Sequence, residues 1–196
     1  LNGCSSLQSL TIPFVGAEAE SNNTGDSVFG YIFGYGAGTV QYYNLEGTTL
    51  KGYQYVIPES LTSVHITNER EIPLGAFSNC RNIKEIHLNS GIEVIDLYAF
   101  YNCTGLTDVY YYDTEDSWNS ISINSTGNSD LTEAAIHYIS AGDIDGSTEV
   151  NKQDAVLLLK YLSGLTELTD LQLNRADYNN DGDLNILDVI AILKQA

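Results

Sequence analysis

The peptide Ala76-Phe77-Ser78-Asn79-Cys80 returns 23 residues later as Ala99-Phe100-Tyr101-Asn102-Cys103. After each cysteine the apolar residues keep the same offsets: Ile83, Ile86 and Leu88, then Leu106, Val109 and Tyr111. Cys4 opens another copy with Leu7, Leu10 and Ile12, and a copy without its cysteine has Leu61, Val64 and Ile66. This spacing predicts a short strand whose alternate residues enter a core. One such unit cannot bury its apolar side alone, so the copies must stack into a solenoid.

A period in the range of about 20–29 residues is that of leucine-rich repeats. Ala76-Phe77-x-Asn79-Cys80 and Asn102-Cys103-Thr104-Gly105-Leu106 resemble the BspA-like class found in bacterial surface proteins. The resemblance covers roughly residues 1–12 and 56–112 and implies an α/β-type solenoid of mainly short parallel strands. Residues 13–58 depart from it: Phe29 to Gly38 and Val40-Gln41-Tyr42-Tyr43 read as an insertion with its own strands. Residues 113–139, with Trp118, Ile121, Ile123 and Ala135-Ile136-His137-Tyr138, read as a C-terminal cap. Of the 14 tyrosines only Tyr161 and Tyr178 lie beyond Tyr138. That shift sets two domains, 1–139 and 140–196, joined through Ile139-Ser140-Ala141. Leu1-Asn2-Gly3-Cys4 reads like the middle of a repeat, so an upstream part with any export signal is expected.

The three cysteines fall at one repeat position and are expected to stack as small buried hydrophobes, with no Cys-His-acid signature for catalysis. Between the apolar positions, Thr11, His65, His87 and Tyr110 form one column, and Ser9, Ser63, Glu85 and Asp108 form the next. Alternation puts both columns on the exposed strand face. His65, Glu85, His87, Asp108 and Tyr110 are candidate ligand-face residues; ordinary solvated strand positions are the plainer reading. Gly34-Tyr35-Gly36-Ala37-Gly38 lacks a phosphate-loop lysine, and the histidines have no i, i+4 partner for a zincin site. Tyr110-Tyr111-Tyr112 offers either sugar stacking or packing against the cap.

A formal charge of −18, with 8 Lys+Arg against 26 Asp+Glu, argues against nucleic acid or anionic membrane as partners. No apolar run is long enough to span a bilayer.

The acids that matter lie near the C-terminus. Residues 177–188 fit a twelve-residue calcium loop, with side-chain oxygens on Asp177, Asn179, Asp181, Asn185 and Asp188 and a backbone carbonyl from Asp183. Gly182 supplies the sharp turn at position 6. Thirty-four residues earlier Asp143, Asp145, Ser147, Glu149, Asn151 and Asp154 make a weaker copy, in which Ser147 replaces a carboxylate and Thr148 the glycine. Two Ca²⁺ ions are therefore expected, the loop at 177–188 being the stronger site. Each loop runs into an amphipathic helix, Lys152 to Ser163 and Ile186 to Gln195, and no helix enters the first loop.

These paired half EF-hands (F-hands) resemble the dockerin module of bacterial cellulosomes, over residues 142–196. The resemblance implies a small all-α module that docks calcium-dependently onto a cohesin domain of a scaffoldin. It also implies cohesin contacts at Lys152, Gln153, Lys160 and Tyr161 and at Ile186, Leu187, Lys194 and Gln195. A polar pair in one repeat against an apolar pair in the other predicts a single binding orientation, although Ile186 and Leu187 fit core packing as well. The implied protein is a secreted, non-catalytic component of the cell-surface cellulosome of an anaerobic bacterium, displaying a protein-binding or adhesion domain. Tyr31, Tyr35, Tyr42 and Tyr43 prompt the alternative of a carbohydrate-binding module. A polysaccharide-degrading enzyme ranks third, because no paired carboxylates stand out in so small a repeat scaffold.

Overall fold

Four short strands fall at equivalent points of successive repeats: β1 (Ser9–Ile12), β4 (Ser63–Ile66), β6 (Glu85–Leu88) and β8 (Asp108–Tyr111). Between β1 and β4 lie a 3₁₀ turn (Phe29–Phe33) and the strands β2 (Tyr35–Glu46) and β3 (Thr49–Tyr55). The remaining elements are β5 (Glu71–Ile72), β7 (Val94–Ile95), α1 (Glu115–Ser120), β9 (Ser122–Ile123), α2 (Ser129–Glu133), β10 (Ala135–Tyr138), α3 (Lys152–Leu162), α4 (Asp170–Ala176) and α5 (Ile186–Gln195). This computed structural model describes all residues except Asn2, Asn23, Thr148, Asn180 and Asp181, and the side chains of Asp170 and Leu171. Two units are resolved, Leu1–Tyr111 with Glu115–His137, and Tyr112–Thr114 with Tyr138–Ala196.

In the first unit one sheet runs β1-β4-β6-β8-β10, and β1, β4, β6 and β8 pair in parallel without a slip in register. A second sheet, β5-β7-β9, is also parallel. Strand alternation divides the residues cleanly. Val64, Ile66, Ile86, Leu88, Val109 and Tyr111 are buried, while Ser63, His65, Glu85, His87, Asp108 and Tyr110 stay half exposed. Each buried aliphatic side chain contributes about 1.5–3 kcal/mol by leaving water. Truncating one, as in Leu88→Ala, costs about 2–5 kcal/mol through lost burial and the cavity left behind.

The Ala-Phe-x-Asn-Cys motif makes the turn opposite the strands. Asn79 and Asn102 sit at φ 62° and 59°, a left-handed conformation that asparagine tolerates better than most residues. Phe77 and Phe100 stack at 5.3 Å, and Cys80 and Cys103 are buried behind them. Cys4 departs from the expected cysteine stack: it is exposed. The insertion joins this interior by imitation. The Phe29 N–H donates to the Ala76 carbonyl at 3.0 Å, as the Phe77 N–H donates to Ala99 at 2.7 Å, and Phe29 lies 4.9 Å from Phe77.

The β2–β3 hairpin is anchored by Gln41, fully buried, whose side chain accepts from Gly30 N–H and donates to the Ala76 carbonyl. Gly75 makes room beside it, since a Cβ there would lie 1.8 Å from the Tyr42 carbonyl oxygen. The segment expected as a cap adds strands to both sheets, through β9 and β10. Trp118 packs edge-on against Tyr111 at 5.4 Å.

In the second unit the three helices gather around Ile144, Ala155, Leu158, Ala176, Val189 and Ile192. The sequence reading did not foresee α4, although its signal was present. Thr169 and Gln172 form a reciprocal capping box, the Ser/Thr-x-x-Glu/Gln pattern that satisfies two orphan donors of a helix start. No described helix is long and apolar enough to cross a membrane.

Candidate calcium loops and docking helices

The two acidic loops are built alike down to single hydrogen bonds. In the first, Asn151 caps α3 by accepting the Gln153 N–H at 2.8 Å, and Asp154 returns the bond by accepting the Asn151 N–H at 2.8 Å. The other Asp154 oxygen accepts the Asp145 N–H at 3.0 Å and draws the loop closed. Thirty-four residues on, Asn185 accepts Leu187 N–H at 2.8 Å, and Asp188 accepts Asn185 and Asn179 N–H at 3.0 and 3.3 Å. The carboxylate that ends each loop therefore also starts each helix. Asp154 and Asp188 are fully buried, an expensive position for an anion without compensation.

In the first loop, carboxylate oxygens of Asp143, Asp145 and Asp154 converge within 4.8 Å of one another. Ser147 donates its N–H to Asp145 at 2.9 Å, and Asn151 donates its side-chain amide to the Glu149 carbonyl at 3.0 Å. Ser147 and Glu149 are exposed. Behind Asp143 stands Arg175 of α4, 3.9 Å from its carboxylate, donating to the carbonyls of Asp143 at 3.2 Å and Tyr138 at 3.1 Å. One guanidinium does not balance three converging carboxylates, and hard oxygen donors at this spacing suit Ca²⁺.

In the second loop, Asp177 accepts the Gly182 N–H at 2.9 Å, and Gly182 has φ 86°, the turn position that the pattern reserves for glycine. The Asn185 amide donates to the Asp183 carbonyl at 2.9 Å. Asp181, the expected ligand at position 5, lies outside the described residues.

The helices leaving the loops expose unequal faces. On α5, Ile186 and Leu187 are 53% and 55% exposed, and Ile190 and Leu193 extend the stripe by two turns. Lys194 and Gln195 are exposed at its end. On α3, Lys152, Gln153 and Lys160 are exposed and, with Asp145, Val156 and Leu157, border a shallow depression of about 550 Å³. Tyr161 is different: it is half buried and packs on the helical core. Sequence reasoning passed over Val156, Leu159, Ile190 and Leu193, whose i+3, i+4 and i+7 spacing from the loop-end pairs was the available signal.

The columns on the strand face of the first unit become a ladder of rings. His65 and His87 lie 5.2 Å apart, His87 and Tyr110 stack at 4.5 Å, and Tyr110 and His137 at 4.7 Å. His137 was missed because its repeat lacks the sequence motif; it also pairs with Asp108 at 2.7 Å. That hydrogen bond holds the Asp108 carboxyl below its usual range. Burial, with the neighbouring His65, pushes the His87 pKa down to about 4, and burial also lowers that of His65. Glu85 flanks the ladder in the adjoining column, half exposed. The Cys80 and Cys103 thiols are both pushed up by burial, which leaves them protonated and unreactive.

Comparison with known proteins gives two matches to family models and no match to any curated protein or solved structure. Residues 48–142 match the BspA type leucine rich repeat region (6 copies), and residues 141–196 match the dockerin type I domain. Both are non-catalytic module types, typical of extracellular or cell-surface proteins; dockerins bind calcium and dock onto cohesins. The chain carries a BspA-type leucine-rich repeat region followed by a dockerin type I domain.

Proposed function

We propose that this chain is a secreted, non-catalytic cellulosome component of an anaerobic bacterium, fastened by its dockerin to a scaffoldin cohesin. Two Ca²⁺ ions order the two loops, Asp143, Asp145, Ser147, Glu149, Asn151 and Asp154 holding one and Asp177, Asn179, Asp181, Asp183, Asn185 and Asp188 the other. The all-α module thus formed presents α3 and α5 to the cohesin. The carrying observation is the stripe Ile186, Leu187, Ile190 and Leu193, large aliphatic side chains left 42–55% exposed directly after a calcium loop. Exposed contiguous apolar surface of this kind marks an interaction site.

The equivalent positions of α3 begin with Lys152 and Gln153, so the two helices do not offer interchangeable faces, and α5 supplies the dominant contacts in one orientation. The repeat region, residues 1–139 with its insertion and terminal segment, is a solenoid that displays the His65–His137 strand face as an adhesion surface for protein. Calorimetry with a cohesin array, with calcium and after chelation by EDTA, tests the docking. Calcium-dependent binding to at least one cohesin is expected, and binding that persists without calcium refutes the mechanism.

A further inference from the structure

An exposed apolar surface on the β2–β3 hairpin differs in chemistry from the α5 stripe. On the β2–β3 hairpin, Tyr35 and Tyr53 keep 57% and 47% of their surface open. Their rings stand nearly perpendicular at 5.4 Å, and Tyr43 stacks on Tyr53 at 5.1 Å. Beneath them Tyr55 is fully buried, tilted against Tyr35 at 5.1 Å, with its hydroxyl donating to the Gly25 carbonyl. Gly25 has to be glycine for this arrangement, because a Cβ there would lie 2.6 Å from the Tyr53 ring. Gly36, Ala37 and Gly38 follow Tyr35 with almost no side chain to cover it. The result is an aromatic corner set on a rigid base, with little ordering left to lose on binding.

The geometry points to this corner, Tyr35 with Tyr53 and Tyr43, as a binding site for a neutral β-linked polysaccharide. Equatorially substituted pyranose rings present axial C–H groups that pack on aromatic faces, while phenol hydroxyls reach the sugar hydroxyls. Aliphatic side chains cannot substitute in that contact, and apart from Val56, 38% exposed, the hairpin's large exposed apolar residues are tyrosines. The docking stripe on α5 is the reverse, wholly aliphatic, as suits a protein surface. Charge selects further within the glycans. The chain carries a formal charge of −18, so an anionic polymer is repelled.

This inference goes beyond the docking function and is tested apart from it. Full-length chain in calcium buffer is run by affinity electrophoresis through mixed-linkage β-glucan, xyloglucan and, as the anionic control, polygalacturonate. Retardation by at least one neutral polymer is expected, with none by polygalacturonate. Tyr35→Ala and Tyr53→Ala each weaken it about ten-fold or more, and Tyr53→Phe retains most of it. Near-UV circular dichroism monitors the fold of each variant, and cohesin binding by the same variants is expected to be unchanged. No retardation by either neutral polymer overturns the inference and leaves the corner to a protein partner. Full retardation of the Tyr35→Ala/Tyr53→Ala double variant overturns it as well.

Discussion

Arg175 stands 3.9 Å from the carboxylate of Asp143 and shares hydrogen bonds with two backbone carbonyls beside it. The same residue, two positions before Asp177, accepts the Gly142 N–H through its own carbonyl at 2.7 Å. The start of the first loop is thus tied to the start of the second. Arg175→Gln removes donors from a largely buried site, at a cost of about 1–3 kcal/mol. The loss is expected to be larger without calcium, because the guanidinium is then the nearest positive charge to Asp143. Thermal melts in EDTA and in excess calcium measure both, and equal losses count against this role.

Ser147 takes the loop position where a carboxylate would add charge to the site. Ser147→Asp is expected to tighten calcium binding to the first loop by about ten-fold, since ligand charge tunes affinity over several decades. Calorimetric titration of the full chain reads the change directly, and an unchanged isotherm speaks against Ser147 as a ligand position.

On the docking faces, Ile186→Asp with Leu187→Asp is expected to weaken cohesin binding by about 100-fold or more, as burying an unpaired charge at a hot spot does. Lys152→Ala with Gln153→Ala is expected to cost less than ten-fold. Equal effects would mean that both helices serve, in two orientations.

Much of this was legible in the sequence, for reasons that can be named residue by residue. The repeat strands and the candidate calcium loops are local patterns, Val64-x-Ile66 or Asp143-x-Asp145, and the local backbone follows them. Helix α4 was overlooked because its apolar residues are few, though Thr169 and Gln172 announced its start. His137 was out of reach: its place in the ladder comes from sheet pairing after an irregular segment, which no fixed period records. The role of Phe29 was hidden for a similar reason. It occupies a repeat position without the repeat's sequence, and the hydrogen bond to Ala76 with the ring contact to Phe77 identifies it.

The ladder predicts a pH dependence of stability. His65 and His87 have lowered pKa values when folded, so the unfolded chain binds more protons below about pH 6.5. Their contribution is fully present above that pH. It falls as the pH drops, levelling off for His87 near its folded value of about 4. His87→Gln is expected to flatten the wild-type slope between these limits. Urea denaturation at several pH values, compared between the two proteins, checks it; parallel curves refute it.

Thiol chemistry separates the cysteines. Cys4 is exposed and is expected to react with a thiol-specific disulfide reagent in the native protein, while Cys80 and Cys103 wait for unfolding. Reaction of all three at one rate in native buffer is the contrary result.

The chain between Ile12 and Ser63 leaves the array, builds a whole hairpin, and returns without shifting the pairing of β1 on β4 by a single residue. Phe29 and Gln41 moor that excursion to the turn around Ala76, so its outer face is under no obligation to the strands. The array therefore behaves as a socket. Its rungs fix where a graft begins and ends, and the exposed tyrosines of the hairpin are free to be rewritten. Descendants of one scaffold can change what they hold while keeping unaltered the frame that carries it.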